Sequence, residues 1–193
     1  MTERLLLSRH AESESGVLGE VNGDLRFPSR LTGAGREQAR ALGRTLAGEE
    51  IDLCATSEFP RTVETAELAL EGRSVPRLVL PDLNEIGFGA FEGGPLADYR
   101  VWALAHGSGE DGPGGAESRL GAARRFARAF RELIGREEPT VLVVAHALAI
   151  RYLLSGPAAF VESVPLAEVH ALPREEAAAL LERLDAWTAS PTW

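Results

Sequence analysis

A chain of 193 residues, 45% hydrophobic and 25% charged, has enough apolar material for one sizeable core and is expected to fold as a single domain over 1–193. Its 29 acidic residues against 20 Lys and Arg give a formal net charge of −9, which excludes global attraction to nucleic acid or an anionic membrane. Any anionic ligand would need local cations, and the one cysteine excludes an internal disulfide and a cysteine-type zinc site while suiting a reducing compartment.

The first apolar run, Leu5 to Ser8, predicts a strand and is far shorter than a signal peptide core; Arg9, His10 and Glu12 follow at once. "GREQARALGRTLAGEE" places Ala39, Leu42 and Leu46 on one helical face before Gly48. "IDLCATS" predicts a second strand, and "PRTVETAELALEG" a helix with proline in its first turn and Gly72 at its end. Prolines flank "PRLVLPDLNEIGFG", which reads as a short or edge strand running into a loop. Glycines, prolines and acids then cluster over 88–115, around Trp102 and His106, and mark an excursion or lid.

In "ESRLGAARRFARAFRELIG", Leu120, Ala123, Ala127, Phe130 and Ile134 recur at helical spacing. "TVLVVAH" is an unbroken apolar run rich in branched residues, suited to a strand buried on both faces of a parallel sheet. "AEVHALP" predicts a late edge strand and "PREEAAALLERLDAW" a closing helix. The longest apolar stretch, "TVLVVAHALAIRYLL", is interrupted by His146 and Arg151, so a cytoplasmic protein without a membrane partner is expected. Alternating strands and helices give an α/β class fold, a three-layer α/β/α sandwich with a mostly parallel sheet, whose sites form at the carboxyl ends of strands.

Three such ends carry chemistry: Arg9 and His10 after the first strand, Arg61 in "TSEFPR" after the second, and His146 after the buried one. Singly each is unremarkable, since surface arginines are usually solvated and a histidine after a strand usually makes structural hydrogen bonds. Together with "SRHAES", "SRLTGAGREQARALG", "IDLCATSEFPRTVETA", "LNEIGFGAFEG", "GPGGAES" and "VLVVAHALAIRYLL", they give the chain a resemblance to the histidine phosphatase, or phosphoglycerate mutase-like, superfamily from Leu5 to Leu154.

The resemblance implies a metal-independent phosphatase that hydrolyses a small phosphomonoester through a phosphohistidine. His10 would be the nucleophile, Arg9 and Arg61 the phosphoryl clamp, His146 a hydrogen-bond donor to the same oxygens, and Glu85 the proton donor to the departing oxygen. A phosphoglycerate mutase-type transfer and a non-catalytic phosphate-binding module are the alternatives. "FGAFEG" after Ile86 and the modest length resemble the phosphatase branch. Glu12 is open to a second proton-transfer role or a loop hydrogen bond.

The chain departs from the family pattern where Ala11 and Ala147 stand for glycines after the two histidines, and where Gly16 stands for an asparagine. Asn22 could supply the missing phosphate contact from its glycine-punctuated loop, or serve only as a turn residue. Tyr99, Trp102 and Arg26 are substrate candidates by position alone. Cys54 and Arg61 are separated by six residues where a cysteine phosphatase loop has five, and "GAG" at 33–35 lacks a dinucleotide fingerprint's third glycine. The four histidines have no metal-ligand spacing, so neither cofactor nor metal is expected.

Overall fold

A computed structural model of the chain describes residues 1–157 and 164–192. Its elements run β1 (Arg4–Arg9), α1 (Glu14–Leu18), α2 (Gly33–Thr45), β2 (Leu53–Thr56), α3 (Pro60–Ala69), β3 (Arg77–Val79), α4 (Leu96–Ala105), α5 (Arg119–Ile134), β4 (Thr140–Ala145), α6 (Ala147–Ser155), β5 (Val169–Pro173) and α7 (Arg174–Ala189). The strands form one sheet in the order β3-β2-β4-β1-β5. All neighbours are parallel except β5, which closes one edge antiparallel to β1. The fold is the expected α/β sandwich, with β3 and β5 at the edges.

Period-two alternation along the strands sorts the core into two layers. Leu5, Leu7, Leu53, Ala55, Val141 and Val143 pack on one face with Phe126 and Phe130 of α5, Ile150 of α6 and Leu184 of α7. Leu6, Cys54, Leu142 and Val144 face the other way onto Leu42, Leu46, Ala66 and Leu70 from α2 and α3 and the residues that end them. β4, covered on both sides, is buried at all six positions. Each fully buried Leu, Val or Phe contributes about 1.5–3 kcal/mol, so the two layers together hold the sheet ends that carry the site.

Local chemistry fixes the helix starts. Thr32 and Ser118 accept hydrogen bonds from Gly35 and Gly121 to cap α2 and α5, and Pro60 occupies the first turn of α3. Three helices have no counterpart among the sequence expectations. α6 is apolar on most sides, burying Ala149, Ile150, Tyr152 and Leu153, so its sequence runs on from β4 without a change of pattern. α4 lies inside the 88–115 excursion and leaves Val101 and Leu104 exposed, which erases any single apolar stripe. α1 is five residues long, too short to show a period.

Candidate active site

Strand register assembles the site. Pairing of Arg9 with Ala145 and of Thr56 with Val144 aligns the carboxyl ends of β1, β4 and β2 in one row. The next residues, His10, His146 and Ser57, therefore lie side by side and buried, with the two imidazole centroids 5.4 Å apart. The His10 N–H donates to the Ala145 carbonyl at 3.0 Å, which ties the exit of β1 to that of β4. Arg61 enters from the first turn of α3 and is only 3% exposed.

The hydrogen bonds assign the tautomer of each ring. His10 Nδ1 lies 2.8 Å from the Ala11 carbonyl, which can only accept, so Nδ1 carries the proton. Nε2 then has a free lone pair, and the Arg61 Nε–H donates to it at 3.3 Å. His146 is reversed: its Nδ1 accepts from Arg61 Nη2 at 3.2 Å, and its Nε2–H donates to Ser57 Oγ at 2.8 Å. Ser57 passes its own hydroxyl proton to Thr62 Oγ1 at 2.7 Å, and Thr62 donates to the Phe59 carbonyl at 2.9 Å.

Both arginines hydrogen-bond to neutral groups, while Glu85 acts on each of them across space. Arg61 donates Nη1 to Asn22 Oδ1 at 2.6 Å and Nη2 to the Asn22 carbonyl at 2.9 Å, and its guanidinium lies 4.3 Å from the Phe59 ring centre. Its partners are all neutral, and burial pushes its pKa down to about 10. Arg9 gives Nη1 to the Val164 carbonyl at 3.0 Å and keeps a buried Nε with no hydrogen-bond partner. A buried cation without a hydrogen-bonded carboxylate costs several kcal/mol of desolvation, which Glu85 offsets only in part and an anionic ligand would offset further.

Two histidines and two arginines thus meet at the sheet's carboxyl edge, and the sequence model of the histidine phosphatase superfamily (branch 1) matches residues 5–172. The chain belongs to that superfamily. It is 44% identical over 89 residues to an adenosylcobalamin/alpha-ribazole phosphatase of Salmonella typhimurium, covering 46% of this chain and 43% of that protein. The chain therefore matches less than half the length of that curated relative. It is 33% identical over 170 residues to a 2,3-bisphosphoglycerate-dependent phosphoglycerate mutase of Methylobacterium sp., covering 80% of each. A crystal structure described as a putative alpha-ribazole-5'-P phosphatase from Escherichia coli superposes with a TM-score of 0.76 at 29% identity, covering 89% of this chain and 90% of that one.

In this histidine phosphatase family member, Glu85 arrives from the loop after β3. Its Oε1 accepts from the Ile86 N–H at 3.0 Å and its Oε2 lies 3.9 Å from His146 Nδ1. Burial raises its pKa above the usual carboxylate range, against the opposing pull of Arg61, the Ile86 amide, Arg9 and Arg125. The loop is held by Arg125 of α5, whose Nη1 donates to the carbonyls of Asp82 at 3.1 Å and Asn84 at 2.7 Å. Its Nη2 reaches the Glu85 carbonyl at 3.4 Å and Glu117 at 2.7 Å, and Nε donates to Glu117 at 3.1 Å.

The remaining sequence candidates divide. Asn22 is in contact with Arg61, and its own amide donates to the Phe27 carbonyl at 2.7 Å. Glu12 accepts from Thr32 Oγ1 at 2.6 Å, and its main chain bonds to Gln38 and Thr32, which places it in the loop hydrogen-bond role. Ala11 and Ala147 both have negative φ, since Ala167 is the one non-glycine residue with positive φ among the described residues. The Ala11 methyl packs with Leu31 and Ala39. Tyr99 and Trp102 belong to an aromatic cluster with Phe88 and Phe91, while Arg26 lines the cleft beside Glu85. Ser57 and Arg125 were not foreseen: Ser57 is signalled by its place at a strand end, whereas Arg125 reads as one more arginine of an amphipathic helix.

Burial and the neighbouring Arg61 hold both histidines neutral, with pKa values well below 6.5. The unfolded chain takes up those protons near 6.5, so below that pH it binds more protons than the folded state. The rings' contribution to stability is full above about 6.5 and is lost as pH falls toward the depressed folded values. Glu85, raised, acts with the opposite sign, so the informative comparison is with a His146→Gln variant. Thermal melts between about pH 7 and about pH 5 should show wild-type stability falling more steeply than that of the variant. Parallel curves would show that His146 is not held neutral by the fold.

Proposed function

We propose that this chain is a phosphatase that hydrolyses small phosphomonoesters through a phosphohistidine on His10, without a metal ion. The observation that carries this reading is the buried, unprotonated Nε2 of His10 set 3.3 Å from Nε of the buried Arg61 guanidinium. The alpha-ribazole phosphatase names of several relatives support the reaction class. Among the described residues no group of His, Cys, Asp and Glu is placed to hold a metal ion, and no helix is long and apolar enough to cross a membrane.

The substrate's phosphoryl oxygens take the donors of Arg61 and the free Nε–H of Arg9, displacing the Arg61 contact to His10. His10 Nε2 attacks phosphorus as the ester P–O bond breaks, and Glu85 gives its proton to the departing alkoxide. The dianion raises the Glu85 pKa further, which keeps that proton in place before transfer. Water then attacks the phosphohistidine, Glu85 takes a proton from it, and the P–N bond breaks to release phosphate. His146 already gives its Nε2–H to Ser57, so it can donate to phosphate through Nδ1 only by taking up a proton. Asn22 sets the orientation of Arg61, and the 88–115 excursion serves as a lid beside the cleft within a single domain.

The mutase match over 80% of the chain favours a second reading, in which the same phosphoenzyme returns its phosphoryl group to a sugar acid. Incubation of pure protein with p-nitrophenyl phosphate in EDTA, and separately with 3-phosphoglycerate, separates the readings. The phosphatase releases nitrophenol and phosphate; a mutase isomerises phosphoglycerate faster than it releases phosphate. A binding module does neither, and that result would overturn both.

A further inference from the structure

Beside Glu85 opens a cleft of about 550 Å3, lined by the 23–26 loop, Phe59, the 81–92 segment and Gly114, Gly115, Glu117 and Arg125. We infer that this cleft selects phosphomonoesters whose alcohol is bulky and carries no second negative charge. The inference rests on the phosphatase reading above, in which the departing oxygen faces Glu85.

Size is the first argument. Small-molecule sites run from about 300 to 1,000 Å3, and a cleft in the middle of that range exceeds what a three-carbon acid fills. Part of its wall is Gly87, Gly89, Gly114 and Gly115, which offer main chain without side chains. At Gly89 (φ +56°) an added Cβ would lie 2.3 Å from the Ala116 nitrogen, so this wall depends on having no side chain there.

Charge is the second. Besides Glu85, the cleft presents the carboxylates of Asp24, Asp82, Glu92 and Glu117, with Arg26 and Arg125 in its lining and Arg128 holding Asp82 at 2.9 and 3.0 Å. Arg125 has no donor to spare: its five N–H groups serve the Glu117 carboxylate and the carbonyls of Asp82, Asn84 and Glu85. Arg26 is paired with Asp24 through Nε at 2.9 Å and Nη2 at 2.6 Å. Glu92 lines the cleft and takes hydrogen bonds from the amides of Gly23 at 2.9 Å and Phe88 at 2.8 Å, so it is the cleft carboxylate besides Glu85 that no arginine holds by a hydrogen bond, and burial raises its pKa. A carboxylate or second phosphate on the leaving group would meet a lining with more carboxylates than cations, in which Arg26, Arg125 and Arg128 each already hold one carboxylate and Glu92 is held by none. An uncharged or amino-bearing alcohol meets no such barrier.

The test uses four esters on the intact protein: p-nitrophenyl phosphate, glycerol 3-phosphate, 3-phosphoglycerate and adenosine 5'-monophosphate. Glycerol 3-phosphate and 3-phosphoglycerate are nearly isosteric and differ in the charge of the carboxylate. At low salt, kcat/KM for 3-phosphoglycerate should be at least about tenfold below that for glycerol 3-phosphate, and the gap should shrink with added salt as screening grows. Glu92→Gln should narrow the same gap, an effect that loss of packing alone would not produce. The adenosine ester should exceed both small esters.

Equal values for the isosteric pair, or a preference for 3-phosphoglycerate, would overturn the charge argument while p-nitrophenyl phosphate turnover kept the phosphatase reading intact. A glycerol ester better than the adenosine ester would overturn the size argument. Failure to hydrolyse any of the four would remove the phosphatase reading and the specificity with it.

Discussion

Replacing His10 with alanine is expected to lower kcat/KM for p-nitrophenyl phosphate by roughly 10⁴-fold or more while leaving the fold intact. The imidazole sits at the end of β1, and its fold-bearing contact is the main-chain N–H to Ala145, which alanine keeps. What alanine removes is the Nε2 lone pair that the Ala11 carbonyl, by holding the proton on Nδ1, leaves available for attack. Arg61 would remain buried, and phosphate would still bind as a competitive ligand. Circular dichroism should be unchanged. Residual activity within about tenfold of wild type would remove His10 from the nucleophile's role.

Glu85→Gln is expected to separate substrates by their leaving groups. An alkyl alkoxide needs a proton as it departs, so loss of the acid should cost about 10²–10⁴-fold in kcat with glycerol 3-phosphate. Nitrophenolate leaves without that help, and the cost should stay below about tenfold. The raised pKa of Glu85 sets the pH behaviour: the carboxyl is competent while protonated, so activity on alkyl esters falls as pH rises through that raised value. The variant should lose that limb. The same fractional loss for both leaving groups would instead assign Glu85 a positioning or binding role.

The residues that the sequence made legible are those whose position along a strand carries the meaning. Arg9 ends β1 and His10 follows it, and His146 follows β4, so an apolar run that stops at an imidazole marks a strand's carboxyl end. The α/β sandwich followed from the same alternation. Glu85 has no such local signal, because it lies in a loop and its raised pKa comes from burial that only the fold creates. Arg125 is further still from legibility: besides Glu117, its partners are main-chain carbonyls 40 to 43 residues upstream, which no spacing rule encodes.

The two alanines that stand for glycines after the histidines fit the backbone geometry. Ala11 continues from β1 with negative φ, and its amide donates to Thr65 Oγ1 at 3.0 Å. Ala147 opens α6, where alanine is the best helix former. At Gly35 the reverse holds, since an added Cβ would lie 2.0 Å from the Glu12 carbonyl oxygen. The glycine in "LTGAG" is therefore what lets α2 pack against the loop that follows His10, a role its motif resemblance alone did not reveal.

The central claim is chemical: a phosphoryl group resides on one nitrogen of one histidine during turnover. Rapid acid-free quenching of the wild-type protein with substrate, followed by phosphorus NMR and peptide mass spectrometry, tests it directly. The account predicts an acid-labile, base-stable phosphohistidine at His10, attached through Nε2 and absent from His10→Ala. Phosphate found on His146, on His10 Nδ1 or on a serine, or direct transfer of the phosphoryl group to water with no phosphoenzyme, would contradict it.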